Sequence, residues 1–410
     1  MNLEFTPAQT RARAAFRLFA SQEIAPFADQ YDRDEHLPTE VIRSLSGRGY
    51  LGLFLPEKWG GQGSDMITYG LLNEEIGRAC SSVRSLITVH GMVAQAILKW
   101  GSDYQRESWL PLLSVGKILG AFAATETNVG SDLKSVETTA ERVRDGYVLN
   151  GLKRWITFGQ IADLFLVLAR CDGKPAAFLI ERGRSNLSTQ PIKGMLGVKA
   201  SMMADLLLED CWIPEENLVG RVGFGLLTVI SDALSLGRYS VAWGCVGIAQ
   251  ACLEAALHYT SERRQFGLLL REHQLIQEMI GEMVTGLKAA RLLCCRAGYL
   301  KDTGDEREVM ETFIAKYFAS RAAMKAALDA VQIHGANGCS SQYPVQRYLR
   351  DAKVMEIIEG SNQIQQMTIS GYGYQEYAQH VFEQTAGAEE KAATGQEKSG
   401  AGVKGPDKDA

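Results

Sequence analysis

The carboxylate best placed to do chemistry in this chain is Glu359, preceded by Ile357 and Ile358 and followed by Gly360-Ser361-Asn362-Gln363, a short way beyond Arg350-Asp351-Ala352-Lys353. Apolar flanks desolvate a carboxylate, raise its pKa toward neutrality and make it a proton acceptor for a weak carbon acid. The same residue also reads as a helix-start glutamate that merely caps backbone, and the residues alone leave both readings open. A second cluster, Thr125-Glu126-Thr127-Asn128-Val129-Gly130-Ser131-Asp132, crowds hydroxyls, a carboxylate and a glycine into one loop. Such a loop offers hydroxyl and backbone donors to a polar ligand edge. Lys153-Arg154-Trp155-Ile156-Thr157 then sets an aromatic plane beside another hydroxyl, which suits a flat heteroaromatic group or, more plainly, a hairpin with a core tryptophan.

Three kinds of element must position these residues. From Thr6 to about Gly116 apolar residues recur at helical spacing (Ala12, Phe16, Phe19, Ala20, Ile24, and again from Met92 to Trp100), and Thr6-Pro7-Ala8-Gln9 reads as a capping box. Breaks are expected at the glycine-rich stretch Leu55 to Gly63 and at Leu110-Pro111. Beyond Gly120 the runs Tyr147 to Asn150, Leu164 to Ala169, Ala176 to Ile180 and Leu206 to Leu208 predict strands. With Asn150-Gly151 and Asp172-Gly173 as tight turns, they predict a compact antiparallel β domain ending near Gly220. Helical spacing returns after Phe224 in three long stretches: Val241 to Ala256, Ile276 to Leu287, and a third carrying Val309, Phe313, Tyr317, Met324, Leu328 and Val331. Short connections such as Asp302-Thr303-Gly304-Asp305 make this a bundle. The expected boundaries are 1–118 (helical), 119–222 (β) and 223–384 (helical), with 385–410 a disordered tail that has no aromatic residue and one valine.

Composition narrows the partners. With 410 residues, 46% of them hydrophobic, the chain can bury a large core in two or three domains, and a net charge of -5 gives no basic field for nucleic acid or an anionic membrane. The eight cysteines lack Cys-x-x-Cys spacing and read as reduced, and the six histidines show no metal-ligand pattern, so no metal site is expected. Residues 1–15 contain no signal-like apolar stretch, and no apolar run of roughly 18 residues is seen, so a cytoplasmic location is expected.

Further pieces follow in order: Gly194-Met195-Leu196-Gly197 with Ser201, Ile213-Pro214 with Asn217 and Gly220, Glu262-Arg263-Arg264-Gln265-Phe266-Gly267, Gln332-Ile333-His334-Gly335-Ala336-Asn337-Gly338, and Tyr343-Pro344-Val345. Together with the two loops and Arg350-Asp351-Ala352, this series resembles the acyl-CoA dehydrogenases from about Phe5 to Tyr377. The resemblance implies a mainly α fold with a central β domain: an N-terminal helical domain, a middle antiparallel β-barrel-like domain and a C-terminal four-helix-bundle-like domain. It implies FAD, and a homotetramer or dimer in which a neighbouring subunit completes each cofactor site. Carried over by position, Thr125 and Ser131 contact the flavin, Ser131 also lies near the substrate thioester, and Trp155 and Thr157 line the flavin's other side. Arg263, Gln265 and Phe266 reach the partner's FAD, the arginine toward its pyrophosphate; Gln332 and Ala336 form the complementary cradle, and Ser361 and Gln363 the adenosine end. As plain structure, Arg263 is a solvated helix face and Gln332 a hydrogen-bonded core amide.

The implied reaction is α,β-dehydrogenation of an acyl thioester, an oxidation at a CH–CH bond, with Glu359 taking the α-proton while a hydride passes from the β-carbon to FAD. In the family the thioester oxygen is held by the base's own N–H and a ribityl hydroxyl. Some relatives carry the base just before an arginine that corresponds to Arg238; here that position is Gly237, which has no side chain to act. Arg238 reads either as part of the site wall or as a helix-start ion pair, and Ile358 and Gly360 border the substrate. Departures from the common pattern (Thr127-Asn128-Val129, Ala336, Ser361, Ile358) are similar to a branch that oxidises hydroxyacyl or aminoacyl units on an acyl carrier protein in polyketide and nonribosomal-peptide pathways. Acyl-CoA is the simpler substrate, with electron-transfer flavoprotein or another acceptor downstream. An oxidase or monooxygenase, or a non-catalytic assembly protein, are the other readings of the same scaffold.

Overall fold

A computed structural model describes residues 4–378. The tail expected at 385–410 and the last residues of the 223–384 region lie outside the described residues. The first helix, α1 (Pro7–Phe19), starts as the sequence predicts: Thr6 Oγ1 accepts from the Gln9 N–H (3.2 Å) and Gln9 Oε1 accepts from the Thr6 N–H (3.0 Å). There follow α2 (Ala28–Asp34), α3 (Thr39–Gly47), α4 (Met66–Ala79), α5 (Ser81–Trp100) and α6 (Asp103–Ser114). Helices α4 and α5 are buried almost all round, as a helix at the centre of a protein must be. Leu110-Pro111 does not end a helix, since α6 runs through it. Pro111 falls in the last turn, and the bond it forfeits belongs to the carbonyl of the exposed Glu107, which water can satisfy.

The β region contains β1 (Gly120–Ala123), β2 (Thr139–Val143), β3 (Gly146–Ile156), β4 (Leu164–Cys171), β5 (Lys174–Glu181), β6 (Leu187–Pro191), β7 (Ala204–Pro214) and β8 (Leu218–Val219). They form one sheet in the order β6-β7-β3-β2-β4-β5-β8, with β1 also on β4. The sheet is mixed rather than purely antiparallel. One edge of β4 is shared by β1 at Leu164–Val167 and by β2 at Arg170–Cys171, both running parallel to it. Asp172-Gly173 turns β4 into β5 with φ of 50° and 73°. Asn150-Gly151 is not a turn, because β3 passes straight through it with a register shift against β7. Gly151 is needed there for close approach, since a Cβ would stand 2.4 Å from Thr138 Oγ1 and 2.8 Å from the Thr138 Cα.

The C-terminal helices are α7 (Ser231–Glu262), α8 (Gln274–Thr303), α9 (Glu308–His334) and α10 (Val345–Met355), with a further helix, α11, over 362–378. Contrary to expectation, Gly225–Glu262 is long and apolar enough by composition to cross a membrane, but most of its apolar window is buried, packed by α4, α5, α8 and α9. The stripe expected to bury α9 is not the one that does so. Val309 and Leu328 are exposed, whereas Ala315, Ala319, Ala323, Ala326, Ala327 and Ala330 are buried. Small side chains let α9 lie close against α7, while Phe313, Tyr317, Met324 and Val331 of the expected stripe are only half-buried.

Helix α10 fastens this bundle to the other two regions. Arg347 pairs with Asp29 (2.7 Å), and Arg350 grips both oxygens of Asp32 (3.0 and 2.6 Å) and the Leu196 carbonyl (3.0 Å). Asp351 Oδ1 accepts from the Val198 N–H (2.7 Å). Gly197 permits this contact, since a Cβ would lie 2.5 Å from the Arg350 carbonyl oxygen. The segment that follows, which carries Glu359, is therefore anchored from three sides.

Candidate active site

Between α10 and α11 the chain makes a turn in which Glu359 has φ of 55° and Gly360 φ of 90°. A left-handed glutamate is unfavourable by about 1–2 kcal/mol and persists only where its surroundings hold it. Here four hydrogen bonds do so. The Glu359 carbonyl accepts from Arg238 Nε (3.1 Å) and Gln365 Nε2 (3.2 Å), and the Gly360 carbonyl accepts from Lys316 Nζ (2.8 Å) and Gln365 Nε2 (3.0 Å). Lys316 also donates to Asn362 Oδ1 (3.2 Å), which Ser320 Oγ reaches as well (2.9 Å).

The capping alternative for Glu359 fails on this geometry. Ser361 Oγ takes the N–H of Ile364 (3.4 Å) at the start of α11, while Glu359 Oε2 is buried with no hydrogen-bond partner among the described residues. That oxygen faces Gly237: a Cβ there would lie 2.7 Å from it and 2.9 Å from Met92 Sδ. Burial pushes the Glu359 pKa up, and the positive charges of Arg238, Arg84 and Lys316 act against that rise. Arg238 sits in the second turn of α7 and forms no ion pair among the described residues. Its guanidinium lies 4.3 Å over the Phe313 ring and its Nε donates to the Glu359 carbonyl, which places it against the candidate site.

In the β region the loop with Thr125 is tied to β3 by the Arg154 N–H on the Thr125 carbonyl (2.8 Å) and by a buried Glu126–Lys153 pair (2.6 Å). Trp155 is not a core residue: it is 44% exposed, has φ of 60° and carries Arg154 4.8 Å over its ring. Thr125 and Thr157 are half-buried, Ser131 is exposed, and Ser201 Oγ is buried without a partner among the described residues. An exposed aromatic face and an unsatisfied buried hydroxyl close to one another in the fold fit a flat, polar ligand such as a flavin ring.

Five further positions stand apart. Arg263 ends α7, and Gln265 and Phe266 lie on a small hairpin, β9 (Arg264–Gln265) and β10 (Leu268–Leu269), turned by Phe266 and Gly267 at φ of 53° and 79°. Phe266 is 96% exposed at the tip. Gln332 and Ala336, at the end of α9, are exposed too, so Gln332 is not a core amide. Stacking of Tyr259 on His334 (4.2 Å) and the Asn337–Tyr259 hydrogen bond (2.9 Å) hold these two helix ends together. From 238 to 263 is 25 residues of helix, or roughly 38 Å, so this group cannot reach the Glu359 of its own chain. Ser361 and Gln363, by contrast, lie within four residues of Glu359, the first half-buried and the second exposed. Ile358 and Gly360 are half-buried beside it.

Sequence reasoning did not find Lys316, Asn362, Gln365 or Met92. The signal for Lys316 was present: Thr312, Lys316 and Ser320 recur every fourth residue on the alanine-rich face of α9, and all three are buried.

Family models cover nearly all of the described chain: the N-terminal domain of acyl-CoA dehydrogenase over 6–117, the middle domain over 121–211 and the C-terminal domain over 225–371. An acyl-CoA dehydrogenase of Bacillus subtilis is 38% identical over 376 residues, 90% of this chain and 99% of the relative. A glutaryl-CoA dehydrogenase of Desulfococcus multivorans is 37% identical over 364 residues, 86% of this chain and 93% of the relative. The butyryl-CoA dehydrogenase structure from Megasphaera elsdenii superposes with a TM-score of 0.88 at 33% identity, covering 91% of this chain and 99% of that one. The chain therefore belongs to the acyl-CoA dehydrogenase family, FAD-dependent oxidoreductases that act on CH–CH groups of acyl thioesters.

Proposed function

We propose that Glu359 is the base that removes the α-proton of a short acyl-CoA. The observation that carries this reading is its Oε2, buried, without a partner and facing the space left by Gly237. Burial raises the basicity of the carboxylate, while the four hydrogen bonds on the Glu359 and Gly360 carbonyls fix its backbone, so little reorganisation is needed when the proton moves. The Glu359 N–H is the donor proposed for the thioester oxygen, and Ile358, Gly360, Arg238 and Ser131 border the substrate. Thr125, Ser131, Trp155, Thr157, Ser361 and Gln363 are proposed to hold the cofactor from this chain. FAD, when bound, supplies the hydride acceptor.

Arg263, Gln265, Phe266, Gln332 and Ala336 are proposed to serve the FAD of a neighbouring subunit, because they sit at the opposite end of α7 from Glu359 and are exposed. A homo-oligomer follows from this reading. Coenzyme A rather than a carrier protein is the proposed tether, in line with the CoA substrates named for the relatives. Electron-transfer flavoprotein is the proposed acceptor. All eight cysteines are free thiols, which supports a reducing, cytoplasmic setting.

The test is anaerobic addition of butyryl-CoA and glutaryl-CoA to the purified yellow protein, with the visible flavin band expected to bleach with at least one of them. A flavin-loaded protein that neither thioester bleaches overturns the reading. Gly237→Ala refines it. The added methyl collides with the carboxylate end of the Glu359 side chain and with Met92 Sδ, and not with backbone, so these two side chains shift while the fold holds. A displacement of about 1 Å at a catalytic group costs on the order of 100-fold, whereas alanine inside a helix is favoured over glycine by about 1 kcal/mol. The bleaching rate should fall by that factor with no loss in melting temperature.

A further inference from the structure

Arg154 and Trp155 are consecutive residues of β3, and consecutive side chains on a strand point to opposite faces of a sheet. Here they do not. Lys153 and Ile156, both buried, pair with Leu206 and Ala204 of β7, so Arg154 and Trp155 together stand opposite one residue, Asp205. The strand carries a β-bulge at this point, and Trp155, with φ of 60°, takes up the extra length. The bulge brings the two side chains together, with the Arg154 guanidinium 4.8 Å over the indole. A bulky residue at positive φ is a strained choice that a regular strand would avoid.

Asp205 completes the arrangement from across the bulge. Its Oδ1 lies 3.7 Å from Arg154 Nε, within reach of an ion pair but too far for a hydrogen bond, and neither atom has a hydrogen-bond partner among the described residues. The guanidinium is thus set against a carboxylate and an aromatic ring. Its plain structural role would be to staple β3 to β7. That role is small, since eight paired positions already join the two strands, and an ion pair with one side chain 37% exposed and no hydrogen bond adds little. What the guanidinium changes most is the ring. A cation held over one face draws on the electron density of the indole, and Trp155 stays exposed to a flat partner. An electron-depleted plane beside a positive charge favours an electron-rich, negatively charged partner.

We propose that Arg154 is a positioning residue of the cofactor face, which holds the Trp155 indole in place and lends it positive charge, while Asp205 limits that charge. In this role, which rests on the reading of Trp155 as a wall of the flavin site, Arg154 favours the flavin after it has accepted the hydride over the flavin before. The hydride carries an electron pair onto the ring system, so the ring becomes electron-rich, and the face made by Trp155 and Arg154 is matched to that form. Reduction of the cofactor by the acyl thioester is favoured accordingly.

The experiment equilibrates the FAD-loaded protein with a redox dye of known potential, without acyl-CoA and without oxygen, and reads reduced and oxidised flavin from the visible band. Arg154→Met should lower the reduced-to-oxidised ratio by about 3- to 30-fold, the range that a cation over a ring supplies. Arg154→Lys should lower it by less, since an ammonium keeps the charge without the planar stack. Asp205→Asn should raise the ratio, because the cation then acts without its counter-ion. Opposite signs are the signature of charge, whereas a loosened sheet would move both variants the same way. A ratio in Arg154→Met within about twofold of the parent, or a shift of both variants in one direction, overturns the inference. Should Arg154→Met not retain FAD, Asp205→Asn decides alone, and a ratio that does not rise overturns the inference. Trp155→Ala separates that failure from failure of the reading beneath it: with the indole lining the flavin, the quenched fluorescence of the bound flavin should rise severalfold in this variant. Unchanged fluorescence means that Trp155 does not line the flavin, and the inference falls with that reading, while bleaching by acyl-CoA still tests Glu359 separately.

Discussion

Glu359→Gln should give a protein that keeps its FAD, melts at a higher temperature than the parent at pH 7, and bleaches with acyl-CoA more slowly by on the order of 1,000- to 10,000-fold. The amide matches the carboxylate in shape but cannot accept the α-proton, and a positioned general base contributes up to about that factor. The gain in stability follows from the same burial. Glu359 Oε2 has no hydrogen-bond partner among the described residues, and the pKa of the carboxyl is raised in the folded state by desolvation, with Arg238, Arg84 and Lys316 opposing. A carboxyl whose folded pKa lies above its unfolded value binds its proton more tightly when folded. Its contribution to stability is fully present at low pH and is lost as the pH rises through the unfolded and then the folded pKa. At pH 7 the ionised side chain is therefore a net cost, which glutamine removes, worth on the order of 1 kcal/mol and a few degrees in melting temperature. The advantage of the variant should vanish near pH 4, where both side chains are neutral. In the parent, the bleaching rate should climb with pH through a midpoint above the ordinary carboxylate range. Should the variant bleach as fast as the parent, Glu359 is not the base.

The site was legible where residue type and spacing carry chemistry, and it was hidden where geometry does. Glu359 stood out because two isoleucines and a glycine frame it, but the choice between base and cap needed coordinates: only they show that Ser361 receives the helix N–H and that Glu359 Oε2 is left unpartnered. Gly237 was noticed for its missing side chain, yet its contact with the Glu359 carboxylate brings together residues 122 positions apart in sequence. Lys316 was hidden by its setting, since a lysine in a long helix normally points to water and this one is tethered to the Gly360 carbonyl. The fold misreadings share one cause. Pro111, Asn150-Gly151 and the Val309–Leu328 stripe were all judged on local preference, and in each case tertiary contact prevailed: a solvent-facing last turn, a strand pressed against Thr138, and a helix pair close enough to require alanine. The capping box at Thr6 and the turn at Asp172-Gly173 held because nothing distant competes with them.

Lys153→Met should destabilise the protein by about 3–5 kcal/mol and weaken FAD retention, although Lys153 itself lies behind the proposed flavin face. Lys153 and Glu126 are both buried and 2.6 Å apart, with Lys153 Nζ also near the Ala124 carbonyl (3.4 Å). Glu126 takes three more hydrogen bonds, from the N–H of Glu137 (2.6 Å) and from the N–H and hydroxyl of Thr138 (2.8 and 2.5 Å). One carboxylate thus closes the loop from Ala124 to Thr139 onto β3, and that loop carries Thr125 and Ser131. Burial pushes the Glu126 pKa up, but the bonds from Lys153 and Thr138 outweigh it and hold the carboxyl below its ordinary range. The stability this gives is present above the unfolded pKa and is lost as the pH falls through the folded value, so it is fully available at pH 7. Removing the lysine alone strands a buried anion, the costly case; removing both charges costs far less. In a double-mutant cycle by urea denaturation, Glu126→Gln should therefore recover a substantial part of what Lys153→Met loses. Its FAD retention should recover less, because glutamine accepts from fewer donors than the carboxylate and the loop that presents Thr125 stays looser than in the parent. Strictly additive losses would mean that the two side chains act independently and that the loop is held by its backbone contacts.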